Sequence, residues 1–180
     1  MLDQLWEYAI LLYKEVPASV YYGLIILLCI GSVVILFKWG VRKGWRKVGL
    51  FLLVEYVFLL FGSTILFRES TDSIAGHNYL PFWSYEAILD GRCDLVAEII
   101  MNTLVFVPVG LLICTQIAHR SQKGWLVAMM MGAGISVSIE ILQFVMARGF
   151  AELDDVMHNT LGCLMGFGLY RLIRSICFKF

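Results

Sequence analysis

Residues 140–166 read EILQFVMARGFAELDDVMHNTLGCLMG, and the reading of this stretch decides the fold. Glu140, Gln143, Arg148, Asp154, Asp155, His158 and Asn159 lie between two runs apolar enough to cross a bilayer. An ionisable side chain inside a spanning helix costs ~2.5–3.5 kcal/mol on insertion scales, so each needs a partner or a purpose. The stretch is therefore expected to be the end of two spanning helices joined by a short loop. The rest of the chain reads as scaffold that presents this end at one membrane face.

Composition agrees with that frame. The 180 residues are 60% hydrophobic and 16% charged, against roughly 45–50% and 25% in soluble domains. The apolar excess falls in blocks of about twenty residues, the length of helix that spans the hydrocarbon core. Five such blocks cover about 16–37, 48–67, 96–117, 125–147 and 156–176. The expected fold is all-α: a polytopic membrane bundle of about five helices, forming one domain over 1–180. Residues 1–16 place Leu2, Leu5, Trp6, Ala9, Ile10 and Tyr13 at helical spacing opposite acids, which reads as a short interfacial helix or a frayed terminus. They lack an early basic region, so no cleavable signal peptide is expected. No basic tract suits nucleic acid. The five cysteines contain no C-x-x-C and point to neither a disulfide framework nor zinc.

Charge fixes the expected orientation. Residues 38–47, 119–124 and the C-terminus carry ten of the fourteen Lys and Arg and no acid. The opposite side carries Lys14, Arg68, Arg92 and Arg148 with twelve acids, leaving Glu55 and Glu140 within spans. By the positive-inside rule the N-terminus lies outside and the C-terminus in the cytoplasm. The 28-residue connection at 68–95 is then an outer loop, longer than a plain turn requires.

Polar residues inside the spans gather toward that outer face. Gly132, Ser136, Glu140 and Gln143 share one stripe of the fourth span. Asp155, Asn159, Gly162 and Gly166 share one of the fifth, and Glu98, Asn102, Phe106 and Gly110 one of the third. Gly162-x-x-x-Gly166 is expected at a close helix contact, with Gly40 in the basic loop the more tolerant glycine. Asn102, Gln143 and Asn159 read either as hydrogen-bonding glue between helices or as ligand contacts. Glu140 is expected to bond Asn102 or a neighbour of Gln143. Arg148 reads as a clasp to Asp154 or Asp155, or as a ligand contact, and Asp154 suits the N-cap of the fifth helix. His158 with scattered carboxylates is too thin a pattern for a metal site, and no cofactor is expected. Glu55 has no basic neighbour in sequence.

Asn78-x-x-Pro81-Phe82, Asn102 followed by Phe106-Val-Pro-Val-Gly110, Glu140-x-x-Gln143, Arg148, and Asp154-Asp155 leading to Asn159-x-x-Gly162-x-x-x-Gly166 together resemble the VanZ-like family over about 50–175. The resemblance implies a small integral protein of the bacterial plasma membrane, associated through its named member with teicoplanin resistance. It brings no established reaction. Asn78, Asn102, Glu140, Gln143, Arg148, Asp154, Asp155 and Asn159 are the candidate ligand-binding residues.

Three functions follow. The first is an outward polar pocket for an amphiphile, either a lipid-linked wall precursor or a lipoglycopeptide, with membrane lipids around it. The second is a membrane-embedded hydrolase or transferase, with Glu140 or Asp155 as base near His158. The third is a structural or partner-binding subunit.

The orientation is checked by single cysteines read with an impermeant thiol reagent. Probes at Lys43 and Ser121 should be protected from outside and probes at Asp90 and Phe150 should react. Outside labelling at Lys43 would reverse the topology.

Overall fold

The structure, a computed structural model, describes residues 16–68, 77–117 and 123–177 together with Trp6, Ile10 and Lys14. Most of the expected interfacial segment, and His119–Gln122 of the basic turn, lie outside the described residues. Helix α1 spans Ala18–Phe61 and continues through a π-helical turn at Gly62–Leu66. A seven-residue helix α2 follows at Trp83–Leu89, then α3 at Asp94–Gln116, α4 at Gly124–Val145 and α5 at Leu153–Cys177. Two short strands, β1 (His77–Asn78) and β2 (Ala151–Glu152), form a parallel pair.

Among the described residues, four segments are long and apolar enough to cross a membrane: Ala18–Val41, Gly44–Leu66, Asp94–Gln116 and Gly124–Val145. The expected fifth, α5, has 25 residues, ~38 Å of helix, but is not apolar enough to stand with the other four. The reason lies in its first half. Asp154, His158 and Asn159 are buried against other helices, so the apolar surround that a lipid-facing helix needs is supplied by its neighbours.

The basic segment at 38–47 is a sharp reversal within α1. Gly40 takes φ 69° and ψ 161°, a left-handed conformation that glycine enters without the Cβ penalty. The two limbs fold back on one another there, bringing Gly31 against Phe51 and Gly44 against Leu36. Gly40 is thus conformationally required, against its expected tolerance. The second limb runs antiparallel to α3. Gly49 packs on Thr115, the Tyr56 hydroxyl donates to Val105 O at 2.7 Å, and Arg46 and Gln116 exchange hydrogen bonds at 2.7 and 2.9 Å.

Helices α3 and α5 make the closest contact. A methyl group on Gly162 would overlap the Thr103 carbonyl, one on Gly166 the Val107 carbonyl, and one on Gly110 the Cys163 carbonyl. The matched order of these pairs makes the two helices parallel neighbours at backbone contact, the approach that small residues permit. On the other flank of α5, Gly132 of α4 faces the Cys163 side chain, whose thiol donates to Ala128 O at 3.3 Å. Ile65, Phe106, Val109, Ile113, Ile139 and Phe167 fill the core between the helices. Large apolar side chains such as Ile26, Val33, Phe37, Met130 and Leu161 lie exposed on the outside, as lipid-facing surfaces do.

Gly166→Leu should separate α3 from α5 and destabilise the fold by about 3 kcal/mol, the upper end of overpacking penalties. Gly134→Leu, on α4 with open space around it, should be neutral. Gel-filtration yield and melting temperature in mild detergent compare the two.

Candidate functional site

The end of the bundle where α4 turns into α5 collects nearly every polar side chain singled out above. Helix α4 stops in a tight C-terminal turn: Ala147 adopts φ 51°, the Arg148 N–H donates to Gln143 O at 2.9 Å, and the Ala147 N–H to Phe144 O at 3.3 Å. That left-handed residue reverses the chain where the last helical carbonyls need donors. It also swings Arg148 away from α5. Its guanidinium donates to Ile65 O at 2.5 Å and Leu66 O at 2.7 Å, closing the carbonyl end of α1's second limb, where a cation is favoured. The expected clasp to Asp154 or Asp155 is therefore not formed. The carbonyls are nearer because the turn aims Arg148 at α1.

Asp154 departs from expectation in a related way. Its carboxylate accepts from Phe82 N at 2.6 Å, Ser84 N at 3.0 Å and Ser84 Oγ at 2.5 Å. It thus caps the start of α2, across 70 residues of chain, rather than the start of its own helix. Phe82 is held there at φ 67°, strain in a bulky residue that the fixed carboxylate offsets. Next along α5, buried His158 bonds the Tyr85 hydroxyl through Nε2 at 2.9 Å, while its Nδ1 has no hydrogen-bond partner among the described residues. The strand pair adds a third tie by placing His77 beside Ala151 and Asn78 beside Glu152. The Asn78 side chain accepts from Leu80 N at 3.2 Å. The described part of the outer loop is thereby bound to the first turns of α5.

Beneath this strap lies a group of carboxylates. Asn102 of α3 donates to Asp155 Oδ1 at 2.7 Å. Glu140 Oε2 accepts from the Glu152 backbone N–H at 3.0 Å, the place where Asn102 or a neighbour of Gln143 was expected. Glu98, Glu140, Glu152 and Asp155 all act on one another's charge, and Arg68 and Arg92 oppose them. Buried Gln143 lies with Arg68 against Gly149. Asn159 lies one turn beyond Asp155 and donates to Ser136 Oγ of α4 at 2.8 Å, a buried helix-to-helix bond. Asn102, Glu140 and Asp155 therefore meet in one cluster, Gln143 borders it, and Arg148, Asp154 and Asn159 hold the helices and strap around it.

Glu98, Glu152, Arg68, Ser84 and Tyr85 belong to the arrangement although they were not among the candidates. Glu98 had a signal, since it stands one turn before Asn102 on the same stripe. Ser84 and Tyr85 lie in the seven-residue α2, and Arg68 and Glu152 in short connecting segments, all too brief for a period to be read. Among the described residues, no group of three His, Cys, Asp or Glu is placed to hold a metal ion. Such a cluster is rich in acceptors and suits ligand groups that donate hydrogen bonds or carry positive charge.

Burial pushes the Glu152 carboxyl up to about 7, with Glu98 and Asp154 adding repulsion and Arg92 opposing; the Trp83 indole N–H lies beside it without completing a hydrogen bond. A carboxyl raised in the fold stabilises it below the unfolded pKa, and that contribution is lost as pH rises through about 7. Wild-type melting temperature should thus fall between pH 5 and pH 7, by roughly 2–4 °C for a screened effect of about 1 kcal/mol. Glu152→Gln should flatten this segment of the curve. A fall as steep in the variant would remove Glu152 as its source.

The VanZ/LLP1 family profile matches residues 24–174. Protein VanZ of Enterococcus faecium is 35% identical over 75 residues, which are 42% of this chain and 45% of that protein. The match thus spans less than half the length of this relative. No solved structure matches the chain.

Proposed function

The chain belongs to the VanZ/LLP1 family, and from that premise we propose that it grips an amphiphile at the outer face of the bacterial plasma membrane, in teicoplanin-type resistance or the handling of an envelope lipid. The single domain of residues 1–180 crosses the membrane five times, α5 being the fifth crossing, with the N-terminus outside. Supporting this orientation, Arg46, Lys123 and Arg171 lie toward one end of the bundle and the carboxylate cluster lies at the other.

One observation carries the reading: Asn102, Asp155, Glu140 and Glu152 meet beneath the strap formed by His77–Asn78 and α2. A ligand reaching this point has its acyl portion beside the exposed apolar sides of the helices and its polar head against acceptors. A cluster so rich in acceptors favours a lipoglycopeptide, with its many hydroxyl and amide donors, over a phosphate-linked precursor. Asp154, Arg148 and Asn159 position the strap and helices, and Asp155 with Asn102 contacts the head group.

Fluorescent teicoplanin binding to the protein in nanodiscs tests the reading. Asn102→Ala and Asp155→Asn should each weaken binding by roughly tenfold, the loss of one buried hydrogen bond, in variants that still elute as folded protein. A wild-type protein that binds neither teicoplanin nor a lipid-linked precursor would overturn it.

A further inference from the structure

A second feature lies between the two limbs of α1, outside the carboxylate cluster. It is a half-open pocket of about 140 Å³ whose lining includes Tyr21, Leu28, Leu52, Glu55, Tyr56 and Leu59. Glu55 stands midway along Gly44–Leu66, which puts the pocket near the bilayer centre when that limb spans it. The walls are mostly apolar, and the polar groups on the lining residues are the Glu55 carboxyl and the hydroxyls of Tyr21 and Tyr56. Glu55 is 6% exposed, and neither of its side-chain oxygens has a hydrogen-bond partner among the described residues. Neighbouring Tyr56 gives its hydroxyl to Val105 O.

Buried polar groups in native proteins are nearly always bonded, so an orphan of this kind calls for an explanation. An ionisable group inside a spanning segment marks a functional site by default. Structural packing does not explain it, because a leucine would fill the same place without desolvating a carboxyl.

We propose that this pocket binds a small apolar molecule drawn from the lipid phase, held by one hydroxyl or amine that donates its hydrogen to Glu55. The volume sets the size of the guest. An apolar cavity of ~150 Å³ takes up benzene in another protein, so this pocket accepts a single ring or a short alkyl segment with its polar head. Access lies through the first limb, whose most apolar window is entirely unburied and which is hinged to the second at Gly40.

Fluorine NMR on the full chain in nanodiscs, with para-fluorobenzyl alcohol, para-fluorobenzylamine and para-fluorotoluene as probes, reads this directly. The alcohol or the amine should bind about tenfold more tightly than the toluene, the contribution of one buried hydrogen bond. Whichever of the two binds better identifies the head group. Glu55→Leu should bring all three probes to equal affinity, and Glu55→Met serves if the leucine variant does not fold. Leu28→Trp should fill the pocket and abolish binding. Gly23→Leu, on the same limb with open space around it, should leave binding unchanged. Binding of none of the three probes to the wild-type protein, or toluene bound as tightly as alcohol and amine, would overturn the assignment.

Discussion

The backbone contact between α3 and α5 is the constraint from which the rest of the structure follows. Gly110, Gly162 and Gly166 bring the two helices so close that no Cβ fits at any of them. In a bilayer, where burying apolar surface against a neighbour gains little over burying it in lipid, such packing is a main source of helix association. The parallel alignment it enforces sets Asn102 level with Asp155. Helix α4, joined to α5 by a short turn and packed on Cys163 through Gly132, then delivers Glu140 to the same level. The polar cluster is a consequence of register, and register is held by the glycines.

That arrangement gathers like charges, which the surrounding interactions make tolerable. Glu140 receives the Glu152 amide, Asp155 receives Asn102, and Arg68 and Arg92 lie within electrostatic reach. Asp154 accepts three donors from the start of α2 and becomes the anchor of the strap. The loop between α1 and α3 is therefore held by the helix that carries Asp155. Movement of the strap would release Asp154, His158 and the β1–β2 pair together, which couples access to the integrity of the first turns of α5.

The two limbs of α1 contribute differently. The second is part of the bundle, through Tyr56, Gly49 and the carbonyls that Arg148 closes. The first touches the rest mainly through its partner limb and leaves an apolar space around Glu55. A loosely held helix beside an unpaired carboxyl contrasts with the tightly packed core, where nearly every polar group has a partner.

Composition and period alone determined the all-α membrane class, four of the spanning segments and the glycine face of α5, because these depend on residues adjacent or one helical turn apart. The stripes of Asn102, Glu140 and Asp155 were legible for the same reason. Tertiary structure decided the partners. Arg148 closes carbonyls more than 80 residues away, Asp154 caps a helix 70 residues earlier, and Asn159 bonds Ser136 across two helices. Glu152 joins the carboxylates through its own main chain and Glu55 faces a space between two limbs, neither of which has any periodic trace. A side chain's type states which bonds it can make. Which bond it does make depends on what the helix contacts bring within ~3 Å, and that distance is set by packing between segments remote in sequence.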